Sequence, residues 1–200
     1  MEYLILILIL IIIAMLIVRA TRASEKREFR ARLLAEARQF MADVQNAHVL
    51  PTVPADIILK AGESAFYAAP AVLYETRAVR HYQSGHAGFR VAKGVYIGAT
   101  SGCSLSSQEW SKIDAGRLTV TNKRLVFEGG GAHRSIPLKK IVSVVSSFTD
   151  VQVSAEGRQK TMAFEAANPL ILAGIIRICC QVEDPLDLAQ ATLNVSFVEC

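Results

Sequence analysis

The 200-residue chain lacks most of the signatures that mark enzymes and cofactor-binding proteins. Its four cysteines, Cys103, Cys179, Cys180 and Cys200, contain no C-x-x-C pair, and no histidine stands at zinc-ligand spacing from any of them. A metal site is therefore not expected. There is no GxxxxGK[ST] loop and no GxGxxG turn to cradle phosphates. Gly98–Gly102, GATSG, misses the spacing of a GxSxG nucleophile elbow. Cys103 sits in SGCS with no helix amino terminus beside it to lower its pKa. His48, His81, His86 and His133 are scattered, with no nucleophile paired to any of them. The expectation is a chain with no enzymatic activity and no cofactor. The net charge of +4 is mild, and no long basic stripe with interleaved aromatics follows from it. Nucleic acid is thus not an expected partner.

What the chain does have is one long greasy run. Leu4–Val18 is fifteen residues without a polar side chain, thirteen of them Leu, Ile or Val. Inserting such a run into a bilayer is favourable by roughly 4–8 kcal/mol. As a helix it covers about 22 Å, short of the ~30 Å hydrocarbon core. Tyr3 at one end and Arg19 and Arg22 at the other suit the interface and make up the difference by snorkelling. A cleaved signal peptide is the competing reading. Against it, no Lys or Arg precedes the run, no Ala-x-Ala site follows it, and the next residues are strongly basic. Residues 1–20 therefore read as a transmembrane anchor. Arg19, Arg22, Lys26 and Arg27 follow the span, so the positive-inside rule puts the rest of the chain in the cytoplasm, at an inner or plasma membrane.

From Ser24 to Ala47 there is neither Gly nor Pro, and Phe29, Leu33, Ala37, Phe40 and Val44 recur every three or four residues. That is an apolar stripe on a helix over residues 21–48, continuous with the anchor for want of a breaker. The stripe has three possible uses: packing on the following domain, pairing with a second copy, or lying on anionic lipid. Pro51 and Pro54 then end the helix, and residues 49–56 read as a linker.

Residues 57–184 carry strand patterns. Leu118 and Val120 alternate with Thr119 and Thr121, Asn122–Lys123 suits a turn, and Arg124–Phe127 returns. Gly129–Gly131 makes the next turn, with a backbone anion nest as its alternative use. Ile136, Leu138, Ile141, Val142 and Val144 supply two further buried segments. Ile57–Leu59 suits a short strand, and Gly62–Glu63 a turn. Val72–Tyr82 and Phe89–Gly98 suit a strand pair around a loop at Gln83–Gly88, and Ser-rich Ala99–Ile113 a long loop. Val151–Val153 and Thr161–Phe164 suit a hairpin. Asn168–Pro169 is an N-cap followed by proline at the first helical position. The helix after it presents Leu172, Ile175, Ile176, Cys179 and Val182 on one face, and Pro185 ends it. Cys179 and Cys180, adjacent in this apolar pattern, are expected as buried reduced thiols. Residues 185–200 form a tail in which Leu193, Val195 and Phe197 alternate, as in an added strand. The order is strands followed by one closing helix, an α+β class.

The run Gly116, Leu118, Thr121, Asn122, Lys123, Arg124, Leu125, Phe127 and Gly129, followed by Ile136, Pro137, Leu138 and Ile141, resembles the GRAM and bacterial pleckstrin-homology-like domains. The resemblance implies a mostly antiparallel barrel closed by the carboxyl-terminal helix. It implies a non-catalytic module that binds lipid head groups or proteins. In members that bind phosphoinositides, a loop between the first two strands is basic. Arg80, Arg90 and Lys93 are the nearest counterparts here, a thin cluster for an anionic head group. The sequence thus reads as a single-pass membrane protein that presents a binding or scaffold module. Its expected partners are the bilayer and a protein or a second copy. A self-assembling structural membrane protein is the alternative.

Overall fold

The structure, a computed structural model, describes the backbone of residues 2–92, 95–182 and 184–188. Side chains are described for residues 11–77, 109–182 and 184–188.

One helix, α1 (Glu2–Ala47), runs unbroken from the apolar run into the domain. Among the described residues no helix is long and apolar enough to cross a membrane. The apolar side chains of residues 11–18 are exposed along α1. Leu33, Ala37, Met41 and Val44 are buried, Phe40 packs at the edge of the core, and Phe29 is exposed. The stripe is therefore used for packing: α1 lies on the carboxyl-terminal helix α2 (Pro169–Gln181). Leu33 and Ala37 meet Leu170, while Met41 and Val44 join the main core.

The strands are β1 (Ala65–Ala92), β2 (Val95–Thr121), β3 (Arg124–Gly129), β4 (His133–Pro137), β5 (Ile141–Ser146), β6 (Asp150–Ala155) and β7 (Met162–Ala166). They form one antiparallel sheet in the order β4-β3-β2-β1-β7-β6-β5. A single 3-10 turn, Leu138–Lys140, joins β4 to β5. The sheet curls strongly. Phe127 on β3 and Phe164 on β7 are three places apart in that order, about 14 Å in a flat sheet, yet their ring centroids are 6.1 Å apart. Arg158, in the β6–β7 turn, likewise reaches the Ser135 carbonyl on β4 at 3.4 Å. β4 and β5 stay unpaired with each other, leaving a half-barrel with α2 against its concave core.

Several expectations need correction. Gln83–Gly88 lies inside β1 and Ala99–Ile113 inside β2, so these segments are paired strand rather than loop. Small polar residues lower strand propensity, but the ladder with β1 supplies their backbone partners. Ile57–Leu59 forms no strand, and Ile58 is 91% exposed. Val142 is exposed on β5. Thr119 and Thr121 are buried as well as Leu118 and Val120, with which they alternate, so both faces of β2 are covered there. Cys179 is a buried free thiol as expected, whereas Cys180 is free and exposed. The tail from residue 189 onward lies outside the described residues.

The closing helix is set as its sequence indicates. Asn168 Oδ1 accepts from Ile171 N–H at 3.3 Å, with Pro169 at the first turn. Its Nδ2 donates to the Leu33 carbonyl (3.3 Å) and to Glu36 Oε2 (3.0 Å), so the same cap ties α2 to α1.

Candidate functional site

The residues that give the chain its Thr-Asn-Lys-Arg motif close a knot around Glu63. The Glu63 side chain is fully buried. Arg124 Nε donates to Oε1 at 2.8 Å and Nη2 to Oε2 at 3.2 Å, while the Thr121 hydroxyl donates to Oε1 at 2.8 Å. Lys60 N–H donates to Oε2 at 2.7 Å. Burial alone pushes this carboxyl up, but Arg124, Lys60 and Thr121 outweigh it and hold the group at about 2. Asn122 bonds Ser64 N–H and the Gly62 carbonyl, Lys123 Nζ donates to the Ala61 carbonyl, and Arg124 Nη2 reaches the Ile58 carbonyl. The motif is a clasp that pins residues 58–64 to the β2–β3 turn. Lys123 and Arg124 are thus tied to this loop.

Two other charged features are likewise satisfied from within. The Gly129–Gly131 turn does form an anion nest, and Asp114 fills it. Asp114 Oδ2 accepts from Gly131 N–H at 2.7 Å and Ala132 N–H at 2.8 Å, and these bonds hold its carboxyl below the usual range. Arg134 on β4 pairs with the nearly buried Glu75 on β1 at 2.7 Å and lowers the Glu75 pKa. No signal marked Glu63, Glu75 or Asp114 in the sequence, because each meets its partner across a separation of 17 to 61 residues.

The side chains of Arg80, Arg90 and Lys93 lie outside the described residues, as does the Tyr3 side chain. The backbone has Arg80 and Arg90 ten positions apart on the single strand β1. Arg19, Arg22, Lys26 and Arg27 are exposed along α1. Among the described residues no cluster of His, Cys, Asp or Glu could hold a metal ion.

What is left open is a groove of about 560 Å³ between α1, the start of α2 and the β5–β6 turn. Leu34, Val145, Phe148 and Leu170 make its apolar walls, with Arg30 and Arg177 beside them. The Arg30 guanidinium stacks over Phe148 at 5.1 Å from the ring centroid. Arg177 Nη2 donates to the Val144 carbonyl at 3.0 Å on the outer edge of β5. Ser147 accepts from Thr149 and Asp150 N–H at 3.0 Å each, which fixes the turn forming the groove's rim. An apolar trough with two guanidinium groups suits a ligand that is greasy along its length and carries an anionic or carbonyl oxygen.

No protein-family model matches the chain, and no curated protein does. Among solved structures it is similar to the crystal structure of the C-terminal domain of an unknown protein from Leishmania infantum, at 14% identity. That match covers 60% of this chain and 86% of the other, with a TM-score of 0.35, which is too low to argue from.

Proposed function

We propose that the chain is a single-pass membrane protein that holds a non-catalytic, pleckstrin-homology-like binding module at the cytoplasmic face. The observation that carries this reading is the continuity of α1. One helix contains both the greasy run Leu4–Val18 and the stripe packed into the domain. On this reading the anchor runs into the module with no loop between them. The sheet order with its closing helix supports the pleckstrin-homology-like architecture, as does the Thr121–Arg124 motif. Arg30 follows Val18 by twelve residues, about 18 Å of helix, so the groove beside Arg30 lies within reach of the membrane surface. A partner confined to the same membrane would meet it at raised effective concentration.

A second reading, self-assembly, is favoured by one feature. Beyond Thr76 and before Gly116, β1 and β2 pair only with each other among the described residues, so this two-stranded ribbon has two open edges. Open edges are templates for another strand.

Membrane extraction tests the first reading. The full chain should stay with membranes through high salt and alkaline carbonate. A chain starting at residue 21 should bind only vesicles containing phosphatidylserine, and salt should release it. Removing residues 1–50 instead would take Leu33, Ala37, Met41 and Val44 out of the core and is not a fair test. Recovery of the full chain in the soluble fraction would end the proposal.

A further inference from the structure

We propose that a cleft on the outer face of the sheet, between Trp110 and Glu165, receives an arginine side chain of a partner protein. The cleft measures about 390 Å³, and its walls include Tyr74, Trp110, Asp150, Gln152, Ala163 and Glu165. On β1, β6 and β7 these residues alternate with the core residues Leu73, Val151 and Phe164, so they share the face turned away from α2. Ala163 pairs with Tyr74 on one side and Gln152 on the other. A single methyl group thus forms the floor between two taller walls about 10 Å apart. Trp110 pairs with Thr76, two residues beyond Tyr74, and Glu165 with Val72, two residues before it. The cleft therefore runs from an indole at one end to carboxylates at the other, about 13 Å along β1.

The charges at the acidic end are not neutralised from within. Glu165 Oε2 accepts from the Tyr74 hydroxyl at 2.9 Å, and Asp150 Oδ2 from Gln152 Nε2 at 3.3 Å. The Ser147 and Thr149 hydroxyls donate to Asp150 Oδ1. Every one of these donors is neutral, and among the described residues no base pairs with either carboxylate. Lys112 faces Tyr74 across the β1–β2 ladder, but it is exposed and does not line the cleft. An aliphatic stem ending in a planar cation fits this polarity. The arginine methylenes lie along Trp110, which is 45% exposed, and the guanidinium stacks on Tyr74. Its N–H groups then donate to Glu165 Oε1 and to the Gln152 carbonyl oxygen. A quaternary ammonium has no donors for those two oxygens, and an ammonium has no plane to stack. No base lines the cleft to take the α-carboxylate of free arginine, so the side chain comes on a peptide. This inference names a partner chemistry for the module and stands without the membrane reading.

The single tryptophan supplies the test, because it is itself part of the cleft. Full-length protein in nonionic detergent micelles is titrated with N-acetyl-arginine amide at low ionic strength. The expected result is a saturable change in Trp110 fluorescence, with half-saturation on the order of 10 mM for this one side chain. Saturation-transfer NMR on the ligand reads the same binding without relying on the indole. Glu165→Gln keeps the Tyr74 bond with an exposed amide and should weaken binding about fivefold, with the circular dichroism spectrum unchanged. Added salt at about 150 mM should weaken it in the same direction. N-acetyl-citrulline amide, the neutral isostere, should give no saturable signal. Equal binding of the citrulline amide, or unchanged affinity in Glu165→Gln, would overturn the inference. So would the absence of any signal by both methods at about 50 mM, five times the expected midpoint. Tighter binding of N-acetyl-lysine amide or tetramethylammonium would overturn the guanidinium assignment, and tighter binding of free arginine would overturn the peptide source. None of these outcomes bears on the membrane extraction, so the two readings fail separately.

Discussion

Replacing Arg124 with methionine tests the reading of the Thr-Asn-Lys-Arg motif as a clasp. The substitution keeps most of the side-chain volume but removes the guanidinium bonded to Glu63, whose side chain is fully buried. Thr121 and Lys60 N–H still donate to the carboxylate, yet no countercharge is left. Breaking one side of such a buried pair costs about 3–5 kcal/mol. Glu63→Gln in the same chain should recover most of the loss, since an amide keeps neutral partners without a stranded charge. The pH dependence sharpens the test. In the native chain Glu63 is held down to about 2 from 4.5, which contributes stability on the order of 3 kcal/mol. That contribution is complete above pH 4.5 and drains away as pH falls toward 2. Without Arg124 only the Lys60 N–H and Thr121 bonds oppose burial, so the carboxyl rises toward its unfolded value and less stability is lost on protonation. The gap between native and Arg124→Met stability should therefore narrow below pH 4.5. Urea unfolding of the full chain in micelles, followed by the fluorescence of the single tryptophan, Trp110, measures both effects. A cost below about 1 kcal/mol, or a gap constant from pH 7 to pH 3, would refute the clasp.

Three further substitutions probe the packing around it. Asn168→Ala removes the N-cap of α2 and its bonds to Leu33 and Glu36, and should cost about 1–2 kcal/mol in the same unfolding assay. Ala37→Leu forces extra volume into a fully buried contact between α1 and Leu170. It should destabilise by about 1–3 kcal/mol and raise hydrogen exchange along Leu33–Val44. Gly116→Ala drives a Cβ into the Glu128 carbonyl across the β2–β3 ladder. A comparable loss of about 1–3 kcal/mol should follow, with exchange rising at the Gly116–Gly129 end of that pair.

Where local chemistry decides structure, the sequence was legible. Asn168–Pro169 marked α2 to the residue, the Asn122–Lys123 and Gly129–Gly131 turns fell where expected, and the stripe from Leu33 to Val44 named the packed face of α1. Where partners come from far along the chain, it was not. Ala99–Ile113 looked like loop because Ser and Gly have little preference for strands, and only the β1 ladder makes them one. The anion nest at Gly129–Gly131 was visible, but not that Asp114 fills it. Arg124 stood in a recognisable motif, but its role depended on Glu63, 61 residues earlier, and no periodicity connects the two. The open groove beside Arg30 was equally hidden, since Phe148 and Arg177 meet there only after the sheet has curled.

The central claim is that α1 holds the curled sheet at the inner side of a membrane. Labelling Glu156→Cys, exposed in the β6–β7 turn, with a membrane-impermeant maleimide tests it most directly. The account predicts no labelling in intact cells and full labelling once the membrane is permeabilised; labelling of intact cells at the same rate would contradict it.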